Sequence, residues 1–98
     1  MLRLTETEHR TLERLTAQAA VASALVRRVN YLSGEVLDMA GAAKGILTGR
    51  ELVEAGVAAD VDHGRRMVDS STPRTLTVAL AGAANRAAND ARLILEGH

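Results

Sequence analysis

Cysteine, tryptophan and phenylalanine are all absent from this chain of 98 residues, and tyrosine and proline occur once each. Without cysteine there are no disulfides and no thiolate metal sites, and the redox compartment is left open. Without large rings, the core must be made from Ala, Val, Leu, Ile and Met, so close helix packing has to replace the area that aromatic side chains usually bury. Net charge is missing too: twelve basic and twelve acidic residues cancel, and no overall field draws the chain to nucleic acid or to an acidic membrane. No apolar run approaches the roughly 18 residues of a membrane span, and residues 1–14 are charged throughout, unlike a cleavable leader. The expectation is a soluble, intracellular protein with no membrane partner.

What is present is helical periodicity. The length suits a single domain over residues 1–98, one that buries only about 65% of its unfolded surface. A partner chain is therefore expected, since pairing removes more of the leucine and valine stripe from water at roughly 25 cal/mol per Å². Thr5 or Thr7 can cap a first helix whose opening turn carries Glu6 and Glu8, both favourable at the positive end of the dipole. From Leu12 onward, apolar or small residues at Leu15, Ala19, Ala22, Val26, Val29, Val36, Ala40 and Ala43 keep a 3-4 spacing, which predicts a first helical region over 7–45. Residues 16–23 are its weakest patch in helix propensity.

Within that region, residues 31–43 read as mid-helix, with Leu32, Val36 and Met39 on one face and Glu35 and Asp38 on another. Lys44 and Gly45 would end the helix. Thr48 and Glu51 form a capping box for a second helix over 48–69, in which Gly56 and Gly64 each cost about 1 kcal/mol unless another backbone approaches closely. Ser71 or Thr72 with Pro73 opens a third helix over 73–96, whose buried side would be Leu76, Leu80, Ala83, Ala87, Ala91 and Ile94 or Leu95, with Asn85 and Asn89 facing water.

Chemistry is sparse. His9, His63 and His98 are scattered without metal-ligand spacing, so no metal is expected. The acid pairs Glu6/Glu8, Glu35/Asp38 and Asp60/Asp62 would need a cleft and a perturbed pKa to do acid-base work. The expectation is a protein that is not an enzyme, with no catalytic residue, cofactor or small-molecule ligand. Arg27-Arg28 and Arg65-Arg66 are the strongest basic features. With no aromatics to stack on bases they do not suit single strands; contact with duplex phosphates remains open beside the plainer reading of solvated helix faces.

One stretch carries a resemblance. YLSGEVLDMAGAAK, residues 31–44, resembles the central long helix of core histones of the two-A type, with the pattern Y-L-T-A-E-I-L-E-L-A-G-N-A-A-R. Ile46-Leu47-Thr48-Gly49-Arg50-Glu51-Leu52 is similar to the family's second loop and the start of its third helix. The resemblance implies an all-α, histone-like helix-loop-long helix-loop-helix with an extra C-terminal helix, paired as a dimer with a second histone-fold or helical chain. It implies a role in DNA packaging or a chromatin-like assembly, in the nucleus or on a chromosome. Arg27, Arg28, Lys44, Thr48 and Arg50 would contact duplex DNA. Glu35, Asp38, Asp60 and Asp62 would form an acidic docking patch, and Val29, Leu32, Val36 and Met39 the dimer core. The rival expectation is an Ala-rich antiparallel helical bundle with one long first helix, acting as an oligomerisation or adaptor module without a DNA role.

Overall fold

A computed structural model describes residues 3–97. Helix α1 runs Glu6–Val29, α2 Gly49–Glu54, α3 Val61–Ser70 and α4 Pro73–Glu96, with short 3-10 turns at Val36–Asp38 and Ala42–Gly45. The described residues are all-α, with no strand, as expected. The two 24-residue helices, α1 and α4, lie antiparallel along one another; α2 and α3 pack together beside them.

Local chemistry sets most boundaries. Thr5, Thr48 and Thr72 each cap a helix through the side-chain oxygen, and Thr5 with Glu8 and Thr48 with Glu51 complete reciprocal capping boxes. Such caps satisfy amide donors that the first helical turn leaves free. Pro73 occupies the first turn of α4, where its missing N–H costs nothing. The region expected as one helix over 48–69 is divided. Gly56 adopts φ +79°, its amide donates to the Val53 carbonyl, and the Val57 amide donates to Leu52, a Schellman closure that ends α2. Asp60 then caps α3 by accepting from the His63 amide at 2.7 Å.

The larger correction concerns residues 7–45. α1 is continuous through 16–23 and stops at Val29, and 31–45 is not the middle of a helix but the two 3-10 turns and their connections. The helix-loop-long helix-loop-helix order is therefore not the order observed: the long helices come first and last. Continued as helix to residue 45, the chain would run about 24 Å beyond Val29, with few partners for its apolar residues. By turning back it packs Leu32 and Leu37 against the core and buries Ala43 completely. Gly41, at φ +78°, makes the return possible, and its amide donates to the Ser71 carbonyl at 3.0 Å.

The core lies at one end of the long helices. Ala22, Leu25 and Val29 of α1 and Leu76 and Leu80 of α4 meet Ala43, Leu47, Leu52, Ala55, Ala58 and Val68. Beyond this head, α1 and α4 continue as a two-helix arm in which only Leu15, Ala83 and Ala87 are buried. The molecule measures 50 × 25 × 14 Å.

Candidate functional site

The site is built on a contact between two glycines. A Cβ on Gly49 would lie 2.5 Å from the Val61 carbonyl oxygen and 2.8 Å from the Arg65 amide nitrogen, and one on Gly64 would collide with the Gly49 backbone. The start of α2 therefore rests directly on α3, backbone against backbone. This is the close approach for which a glycine inside a helix is worth its propensity cost. Each glycine is followed by an arginine, so the contact draws Arg50 and Arg65 to the same place.

They line a cleft of about 320 Å³ together with Lys44, Leu47, Thr48, Gly49, Val61, Val68 and Asp69. Lys44 arrives from the second 3-10 turn, held by the Gly41 contact with Ser71, and its Nζ lies 3.8 Å from Asp69 Oδ1. Asp69 is the only acid in the lining, against three cations. Arg50 and Arg65 are exposed and have no carboxylate within ion-pair distance among the described residues. Of the other arginines, Arg10, Arg28, Arg74 and Arg92 are paired with Glu6, Glu51, Asp38 and Glu96, whereas Arg3, Arg14, Arg27, Arg66 and Arg86 have no carboxylate within ion-pair distance among the described residues. A chain of zero net charge thus carries a local excess of positive charge.

The residues expected to contact DNA separate into two groups. Lys44, Thr48 and Arg50 come together in the cleft. Arg28 and Arg27 do not join them. Arg28 Nη1 donates to the Ile46 carbonyl at 2.8 Å and to Glu51 Oε2 at 2.7 Å, so it fastens α1 to the approach of α2. Arg27 stands exposed beside Ser23 and, from α4, Ala81 and Asn85. Glu51 links the cap to this tie. Partial burial would raise its carboxyl, but the hydrogen bonds from Arg28 and from the Thr48 amide outweigh burial and hold it below the ordinary glutamate value. The hydroxyl of Thr48 is already engaged, accepting from the Glu51 amide at 3.1 Å, which makes it a cap more than a ligand contact.

The four acids expected in one docking patch have separate tasks. Asp38 accepts two hydrogen bonds from Arg74, at 2.8 and 3.3 Å, and this pairing holds its carboxyl below the usual aspartate value. Asp60 is the cap of α3, Asp62 lies in that helix's exposed first turn, and Glu35 precedes the first 3-10 turn. Among the described residues no three His, Asp or Glu side chains gather as a metal site; His98 lies outside those residues. The expected dimer core also needs correction. Val29 is wholly buried and Leu32 packed within this chain's own core, Val36 is half-buried, and Met39 is 57% exposed.

Arg65 belongs to the site; the sequence marks it only as part of a basic pair, Arg65-Arg66, and does not group it with Lys44, Thr48 and Arg50. Its signal was the repeated Gly-Arg at 49–50 and 64–65, which becomes meaningful once the two glycines are known to touch. No protein-family model, curated protein or solved structure matches this chain.

Proposed function

We propose that this protein binds the phosphate backbone of duplex DNA through the cleft between residues 44–50 and α3. The observation that carries the reading is that Lys44, Arg50 and Arg65 converge on one cleft opposed by a single carboxylate, Asp69, in a chain without net charge. Guanidinium groups present a fork of donors that suits phosphate oxygens. Charges this close act together within the roughly 8 Å Debye length of physiological salt. The glycine contact supports the reading further, because it seats both arginines on rigid helical backbone. Contacts of this kind position a protein on DNA and carry no sequence information, so recognition is independent of sequence. A role in DNA packaging or a chromatin-like assembly, which the histone resemblance implies, would then draw on further charge from a partner chain.

Titration of a labelled duplex against salt tests the reading. Three phosphate contacts predict a log–log slope of about −2.7, a loss of about 40-fold in affinity between about 50 and 200 mM salt. Replacing Arg50 and Arg65 together by Ala should reduce the slope by about two contacts and leave the helical circular dichroism unchanged, since both side chains are exposed. Absence of duplex binding at low salt, or a slope indifferent to the double replacement, overturns the proposal. The zero net charge favours the rival, a helical oligomerisation or adaptor module that binds no DNA, and absence of binding would leave that rival standing.

A further inference from the structure

The chain exposes more surface than its size requires. Its accessible area is 6221 Å², whereas a compact monomer of 10.4 kDa exposes about 5,400 Å². Its radius of gyration is 15.1 Å, against about 12.6 Å for a compact domain of this length. The excess of about 800 Å² equals what each partner contributes to an interface of standard size. The long, thin shape, 50 × 25 × 14 Å, accords with an arm only two helices thick beyond the head.

The outer side of α1 has a pattern suited to one particular occupant, and its last member, Arg27, also borders Ala81 and Asn85 of α4. Glu13, Ala20 and Arg27 recur at seven-residue intervals, with Thr16, Ala17 and Ala24 between them. All but Ala24 are exposed, and Ala24 is half-buried. Seven-residue spacing keeps a stripe facing a neighbouring helix, and alanine lets two helix axes approach closely. The stripe has an acid at one end, a base at the other and Ala20 midway, so it is complementary to itself reversed. Arg27 has no carboxylate partner within the described chain, and Glu13 Oε1 meets only His9 Nε2, at 2.9 Å on the surface.

We propose that a second copy of this chain covers the stripe, α1 packing antiparallel on α1 about a two-fold axis at Ala20, with Glu13 of each copy paired to Arg27 of the other. This is an isologous contact, in which one patch serves both partners. The head cleft takes no part in it.

Sedimentation equilibrium of the full chain reads the outcome, with circular dichroism confirming that each variant remains helical. The unaltered chain is a dimer. Ala20→Arg sets two like charges at the axis of an exposed helix face and gives a monomer. Glu13→Arg and Arg27→Glu each replace attraction by repulsion at both ends and weaken pairing about tenfold. Mixing these two variants restores pairing, because each brings to the other the charge it lost. A monomer at every concentration, a dimer unaffected by Ala20→Arg, or a mixture that pairs no better than its components overturns the proposal. The loss in each single variant separates the antiparallel arrangement from a parallel one, in which Glu13 would face Glu13 and its replacement by Arg would only exchange one repulsion for another.

Discussion

The head and the arm use the same helices with different materials. In the head, Leu25, Val29, Leu52, Leu76 and Leu80 are fully buried, each with neighbours on several elements, and glycines at 41, 49, 56 and 64 let the connecting segments fold tightly against one another. In the arm, Leu15 is the one large buried side chain, and the other buried residues there are the small Ala83 and Ala87 of α4. A side chain enclosed on all sides cannot be removed without leaving a void. One held between two helices leaves a gap that the helices can close by moving together. The head should therefore hold its geometry strictly, which suits a cleft whose charges must converge, while the arm is held by less and exposes more.

Truncation should expose that difference most strongly. Leu52→Ala in the head should cost about 3–4 kcal/mol, whereas Leu15→Ala in the arm should fall near 2 kcal/mol, the low end for a buried leucine. Denaturant unfolding at one fixed protein concentration measures both, since any self-association contributes to apparent stability. Equal losses would erase the distinction between head and arm.

A smaller effect sharpens the comparison by its sign. In an exposed helix, replacing glycine by alanine gains about 1 kcal/mol from propensity. At Gly64 the new methyl would meet the Gly49 backbone, and overpacking of this kind costs about 1–3 kcal/mol or more. Gly64→Ala should lower the melting temperature despite the gain in propensity, and it should weaken duplex binding with it, because the contact that seats Arg50 and Arg65 opens. A rise in melting temperature would show that the head tolerates a looser fit than its contacts imply.

The smallest effect concerns Glu51. Its carboxyl is held below the ordinary glutamate value in the folded chain, so the stability it contributes is fully present above that ordinary value and is lost as pH falls through the folded one. Glu51→Gln keeps a residue able to complete the capping box and removes the charge that pairs with Arg28. It should cost about 1 kcal/mol at neutral pH and flatten the fall of melting temperature below about pH 5. An unchanged acid profile would assign the acid sensitivity to other carboxylates.

Much of this structure is visible in the residues themselves. The caps at Thr5, Thr48 and Thr72, the proline start of α4 and its buried series Leu76, Leu80, Ala83 and Ala87 follow from local chemistry and spacing. The apolar period of α1 is sound as far as Val29 and misleading afterwards. Val36, Ala40 and Ala43 keep a helical interval by coincidence, while Gly41 in the same stretch takes a left-handed backbone that a continuing helix does not allow. Gly56 and Gly64 look alike as sequence. One provides a left-handed turn and the other a backbone contact, and that distinction depends on what lies opposite each of them.

The sequence by itself determined an all-α chain, the starts of α1, α2 and α4, the alanine-lined buried side of α4 and a neutral total charge, because propensity, capping and periodicity act over a few residues. Tertiary structure alone decided that residues 31–45 turn back onto the core, that Gly49 meets Gly64, and that Lys44, Arg50 and Arg65 share a cleft while Arg28 is spent on Glu51. Those outcomes depend on groups distant in the chain becoming neighbours, and a local pattern carries no term for a neighbour that folding has yet to supply.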